Sequence, residues 1–259
     1  MAFSKRSRLH LAFCRLSEEI YGTNGERHFF TRGSGCLVKS KDLKRSLHAK
    51  SKVFLVTTVE VLDSEYVELQ LKQNNKFKII AEFLKMGSSN EFESYDLNES
   101  LFGSLSDVYV VSGVTFIALT RVDKWYLGWK PIVSSRPLNF NFKNFYSNKS
   151  KEAFCYVLLE AIGNHMKGFI PRIYDLKYAK GNFFLMRKGD SQAEKYVHSY
   201  RRFEENEVGL GAVILNEKDE FIGVVRYENH SVLPVNVQGI FCKGKCFKMN
   251  VYIYPLSST

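Results

Sequence analysis

Residues 210–225 read LGAVILNEKDEFIGVV. Two apolar runs, GAVILN at 211–216 and FIGVVRY at 221–227, stand on either side of the polar stretch NEKDE. Runs this short, rich in β-branched residues and split by a turn signal, read as two strands and not as one helix. The pattern recurs in CLVK at 36–39, VFLVTTVEVL at 53–62, YVELQLK at 66–72, FKIIAEFLKM at 77–86, VYVV at 108–111 and TFIAL at 115–119. It continues in FCYVLLEAI at 154–162, FIPRIYDL at 169–176, NFFLMRK at 182–188 and NVYIY at 250–254. Many short strands punctuated by turn signals such as NNK, GSSN and KGN predict an all-β sandwich or barrels. Helices do not alternate with the strands, which argues against a doubly wound α/β fold.

Composition points the same way. The chain of 259 residues holds 21 Phe and 14 Tyr, and aromatic side chains favour half-buried pleated surfaces. Its hydrophobic fraction of 45% excludes wholesale disorder. Helical spacing is clear only near the start, where Leu9, Phe13, Leu16 and Ile20 fall three or four apart and predict a short N-terminal helix at a domain edge. A second short helical candidate surrounds 191–200. The polar stretch NFNFKNFYSNKSKE, 139–152, reads as a connector. The expected organisation is a helical arm over 1–25, a β-unit over 26–138, the connector, and a second β-unit over 153–259. The longest largely apolar stretch, 108–120, falls short of the roughly 20 residues a spanning helix needs, so no membrane partner is expected.

The start, MAFSKRSRLHLAFCRLSEEIYG, lacks the apolar core and small-residue cleavage site of a secretory signal. Arg6, Arg8 and Arg15 give it a faint mitochondrial-presequence character, which the reading as a docked helix outweighs. Five cysteines, at 14, 36, 155, 242 and 246, are odd in number and scattered, which fits a reducing compartment, cytoplasmic or nuclear. The sequons at Asn98, Asn148 and Asn229 then read as chance. Cys242 and Cys246 in FCKGKCF lack a second Cys/His pair at ligand spacing, so neither metal nor cofactor is expected.

The net charge is +10, and part of it is concentrated. KSKDLKRSLHAKSK, 39–52, sets six cations (Lys39, Lys41, Lys44, Arg45, Lys50 and Lys52) against one aspartate. A solvated loop between two strands is the plain reading. Nucleic acid is the alternative partner, although no aromatic interleaves the run as a stacking platform would require.

Three segments carry a family resemblance. TRGSGCLV (31–38) leads a Gly-Ser-Gly into a strand, FLVTTVEVL (54–62) follows, and LGAVILNEKDEFIGVV (210–225) comes last. In that order and spacing they resemble the trypsin-like, chymotrypsin-fold serine proteases, the intracellular type in particular. The resemblance covers about residues 26 to 230 and implies two packed antiparallel β-barrels. It also implies where the chemistry would sit, and there this sequence departs from the family. Glu60 stands in place of the histidine base, Gly113 in place of the aspartate, and Leu210 in place of the nucleophilic serine. Asp107 is a second candidate for the aspartate position. Gly211 and the run Ile214, Leu215, Asn216 match the family, whereas Val208 replaces a glycine and Val213 a proline.

The family's chemistry needs a hydroxyl whose proton passes to an imidazole oriented by a carboxylate. Leu210 has no nucleophilic atom, and Glu60 has nothing at 210 to deprotonate. Val208 carries a Cβ branch where the family's glycine helps turn N–H groups toward an oxyanion. The resemblance therefore implies a pseudoprotease. A groove near Glu60, Val208, Gly209, Leu210 and Gly211 would hold a protein or extended peptide by strand addition. No other catalytic set stands out. His48 and His165 read as turn or loop residues, Cys36 and Cys155 as packing residues, and no phosphate-cradling glycine motif occurs.

Overall fold

The computed structural model of the chain describes residues 9–22, 24–62, 76–85, 91–102, 107–111, 113–119, 132–134, 151–159, 168–179, 182–187, 207–215, 221–225, 231–234 and 247–248. Strands dominate, in two sheets whose ladders are antiparallel with one exception. The first sheet takes β1 (Phe13–Tyr21), β2 (Arg27–Ser40), β3 (Val53–Thr58), β4 (Lys76–Leu84), β5 (Phe92–Asp96), β6 (Val108–Val111), β7 (Val114–Ala118) and β8 (Ile132–Ser134). The second takes β9 (Lys151–Leu159), β10 (Gly168–Ala179), β11 (Asn182–Arg187), β12 (Glu207–Val208), β13 (Val213–Leu215), β14 (Phe221–Val225) and β15 (Ser231–Pro234). A last strand, β16 (Phe247–Lys248), returns to pair with β6 of the first sheet.

The first sheet runs β16-β6-β7-β3-β2-β1-β4-β5, with β8 alongside β2 in the one parallel pairing. Alternate residues of its strands feed one apolar cluster, among them Cys14 and Leu16, Val53 and Leu55, and Ile79, Ala81 and Phe83. This is the period-2 arrangement that a pleated strand imposes. The helix Asn98–Phe102 contributes Leu101 to that cluster and lies against both β4 and β7, four strands apart in the order. The sheet therefore wraps around its core. In the second sheet the ladders β9–β10, β10–β11, β11–β15, β15–β14, β14–β13 and β13–β9 return to their starting strand.

The expected N-terminal helical arm over 1–25 is corrected. Leu9–Ala12 forms a single 3-10 turn, and Phe13–Tyr21 is a strand between β2 and β4 that begins the first sheet well before residue 26. Central strands are covered on both faces, so Phe13, Cys14, Leu16 and Ile20 are all buried and their spacing imitates a helix. Four polar residues interrupt the apolar run, and three of them are buried with a partner. Ser17 Oγ donates to Glu82 Oε2 at 2.9 Å, Glu18 faces Arg32 at 3.2 Å, and Glu19 pairs with Arg27. Directly across the β1–β4 ladder, Arg15 holds Glu82 with two hydrogen bonds, at 2.5 and 2.8 Å.

The second helical candidate at 191–200, the run at 66–72, most of the connector, NVYIY, and Cys242 and Cys246 lie outside the described residues. Among the described residues no helix is long and apolar enough to cross a membrane, and no group of three His, Cys, Asp or Glu could hold a metal ion. Cys14 and Cys36 are free and buried, and burial pushes both thiols far up from their ordinary value.

Candidate functional site

The segment between β12 and β13 turns within four residues. Ala212 N–H donates to the Gly209 carbonyl at 2.9 Å, and Gly211 takes φ +76 at the third position, where a type II turn requires glycine. Leu210 thus sits at the head of a tight turn. Gly211 N–H donates to the Val225 carbonyl at 2.9 Å, and Val225 N–H to that of Ala212 at the same distance, so β14 fixes the turn from one side.

The Gly-Ser-Gly of β2 fixes it from the other. Ser34 N–H donates to the Leu210 carbonyl at 2.8 Å, and its hydroxyl reaches the same oxygen at 3.2 Å. Thr57 Oγ1, at the end of β3, donates to the Ser34 carbonyl at 2.9 Å. The approach leaves no room for side chains. A Cβ on Gly33 would lie 2.6 Å from the Leu210 oxygen, and one on Gly211 would lie 2.2 Å from the Ser34 oxygen. Leu210 itself is half-buried and packs against the apolar cluster of the first sheet.

Beyond Thr58 the chain leaves β3 in the one-turn helix Val59–Leu62, which the sequence reading had merged into a strand over 53–62. Glu60 lies on this turn, half-buried, with its Oε2 shielded from solvent. Val59 N–H donates to the Gly113 carbonyl at 2.9 Å, and Gly113 turns the chain between β6 and β7 with φ +82. A Cβ on Gly33 or Gly211 would lie 2.9 or 3.2 Å from Val61 Cγ2. The segments bearing Glu60, Gly113 and Leu210 therefore meet around Val59–Val61.

Asp107 does not join them. It immediately precedes β6, at the opposite end of the β6–β7 hairpin from Gly113, where its carboxylate accepts from Tyr109 Oη at 2.6 Å and from Lys50 N–H at 3.1 Å. Val208 pairs with Leu158 in the β12–β9 ladder, and Gly209 is buried in the turn. The six cations of 39–52 form a separate surface: Lys39 is half-buried and the other five are exposed. They do not surround a plain loop, because Lys41–Ser46 is helical.

Ser34 and Thr57 are the positioning residues that sequence reasoning missed. Both lay inside quoted motifs, but their bonds to Leu210 and to each other link residues up to 176 positions apart, and spacing along the chain carries no such information.

No family model matches the chain, and no curated protein matches it. Solved structures do. One of them, described as the crystal structure of Deg5, is similar at 9% identity and a TM-score of 0.49, over 92% of this chain and 90% of that chain.

Proposed function

We propose that this chain is a trypsin-like, two-barrel fold without hydrolytic activity that holds an extended peptide or protein segment in a cytoplasmic or nuclear setting. The observation that carries the reading is the seating of the Leu210 turn on Gly33–Ser34, next to the Glu60 turn and Gly113. By the sequence resemblance these are the positions of the family's nucleophile, base and aspartate, and here they carry an alkyl group, a carboxylate and a bare backbone. Proton transfer from a hydroxyl to an imidazole has no participants in such a set.

Strand addition supplies the binding half. The hydrogen bond from Gly22 N–H to the Glu26 carbonyl, 2.9 Å, sets the alternation of the β1–β2 ladder. Tyr21–Arg27 and Glu19–Phe29 then fall at the non-hydrogen-bonded positions, which turns the peptide groups of Arg27 and Phe29 away from β1. Phe29 is 56% exposed. Among the described residues no ladder lies on that side of Arg27 and Phe29, and the strand continues to Gly33 and the Leu210 turn, so a peptide laid across the turn would continue beside the start of β2.

The test is a pool of extended decapeptides incubated with the protein, with retained and cleaved species read by mass spectrometry. Peptides are expected to be retained intact, and N-methylation at alternate amides is expected to abolish retention of the binders, because the ladder bonds are then lost. Peptide hydrolysis by the purified protein would overturn the inactive half of the proposal. Retention indifferent to N-methylation, or no retention, would overturn the binding half.

A further inference from the structure

The run 39–52 is folded as a closed cationic knob. Ser40 accepts the Leu43 N–H on its side-chain oxygen at 3.1 Å, capping the helix Lys41–Ser46. Ser40 N–H donates to the Lys52 carbonyl at 2.8 Å and closes the loop at its neck. Leu47 N–H and Ala49 N–H return to the carbonyls of Leu43 and Lys44, and Lys50 N–H is tied to buried Asp107. Leu43, Leu47 and Ala49 are buried beneath, at 2%, 3% and 5% exposure. Every apolar side chain of the run points inward, and Lys41, Lys44, Arg45, Lys50 and Lys52 face water.

Positions 41, 44 and 45 share one face of the helix, where neighbours at this spacing hold their Cβ atoms roughly 5–6 Å apart. None of the ion pairs among the described residues engages any of the knob's cations. The display has its backbone tied down by these hydrogen bonds and is carried by a chain of net charge +10.

We infer that this knob binds the phosphate backbone of a nucleic-acid duplex without reading its sequence. Five of the six cations are lysines, point charges suited to non-directional phosphate contacts and not to bidentate base readout. The run has no Phe, Tyr or Trp, so it offers no stacking platform of successive aromatic rings for single strands. With its apolar residues buried it presents no aromatic or aliphatic anchor for a protein partner, and nothing to insert into a lipid surface. A regular line of phosphates is the partner whose recognition needs charge alone.

The experiment measures anisotropy of a labelled duplex of about 20 base pairs between about 50 and 200 mM salt. Engagement of four or more phosphates gives a log–log salt slope of about −4. The variant Lys41→Glu/Lys44→Glu/Arg45→Glu is expected to weaken binding at least about ten-fold while its thermal melt stays that of the parent. Lys78→Glu/Lys85→Glu reverses two ion-paired lysines outside the knob, one half-buried and one exposed, and is expected to change affinity much less. The inference is overturned if the parent does not bind, if the triple variant binds like the parent, or if the distant pair matters as much. Tighter binding to poly-glutamate or to vesicles containing about 30% phosphatidylserine than to the duplex would overturn it equally.

Discussion

Gly25 and Gly211 hold almost the same backbone torsion, φ +81 and +76, in opposite surroundings. A Cβ on Gly25, at the tip of the β1–β2 hairpin, would meet nothing within 4 Å. On Gly211 it would lie 2.2 Å from the Ser34 oxygen, 2.5 Å from Thr57 Oγ1 and 3.2 Å from Val61 Cγ2. The tip needs glycine only to reach its torsion, whereas the turn at Leu210 needs it both for torsion and for fit. A turn determined twice over keeps its shape for reasons of packing. The loosely determined turn, by contrast, ends a surface on which Phe29 and Phe30 are exposed.

The sharpest way to break this contrast is Gly211→Ala. The left-handed torsion costs roughly 1–2 kcal/mol for a residue with a Cβ, and forced overpacking adds about 1–3 kcal/mol. The expected loss is therefore about 3 kcal/mol in urea unfolding. Gly33→Ala isolates the packing part, because its Cβ would press on the Leu210 carbonyl without a positive φ, and about 2 kcal/mol is expected. Equal and small losses at both sites would mean that the seat of the Leu210 turn yields easily and that packing does not fix it.

Between the two turns lies buried Glu18, one strand away from Arg32. Burial pushes its carboxyl up from the ordinary value of 4.5, with Arg32 pulling it back only in part. A raised folded-state value means that the folded protein holds the proton more firmly than the unfolded chain does. The associated stability is full below the ordinary value and is lost as pH rises through the raised one. Glu18→Gln removes that dependence. The difference in unfolding free energy between parent and variant should move in the variant's favour from pH 4.5 upward. A difference that stays flat would show that Arg32 balances burial, and one that moves the other way that Arg32 outweighs it; either would make the hairpin base electrostatically tighter than the contrast requires.

Much of this was legible in the sequence, and the failures share a cause. VYVV at 108–111 coincides with β6, and NFFLMR and VIL fall inside their predicted runs, because each is a short apolar stretch bounded by turn residues. β1 escaped because Ser17, Glu18 and Glu19 are polar yet buried, each facing a polar or charged group on another strand. The first half of β2, RHFFT, and the edge strand FESYD escaped because exposed strands carry no apolar alternation to read. At the site, the segments holding Gly33, Glu60, Gly113 and Leu210 could be singled out by resemblance alone. The Ser34–Leu210 and Thr57–Ser34 bonds that hold the turn could not, since they exist only once distant strands have docked.

The smallest effect is the most exacting test of the comparison. Gly25→Ala places a methyl group where nothing lies within 4 Å, so only the torsional penalty remains, about 1 kcal/mol. The turn can relieve part of even that. It is held by Gly25 N–H to the Gly22 carbonyl at 3.0 Å and by Glu26 N–H to Asn24 Oδ1 at 3.2 Å, and Asn24, Gly25 and Glu26 are exposed. Urea unfolding of this variant should fall about 1 kcal/mol or less below the parent, with an unchanged slope, because the surface exposed on unfolding is the same. A loss approaching that of Gly211→Ala would mean that the tip is packed against something. The two glycines would then answer to the same constraint, and the difference between an open hairpin and a locked turn would disappear.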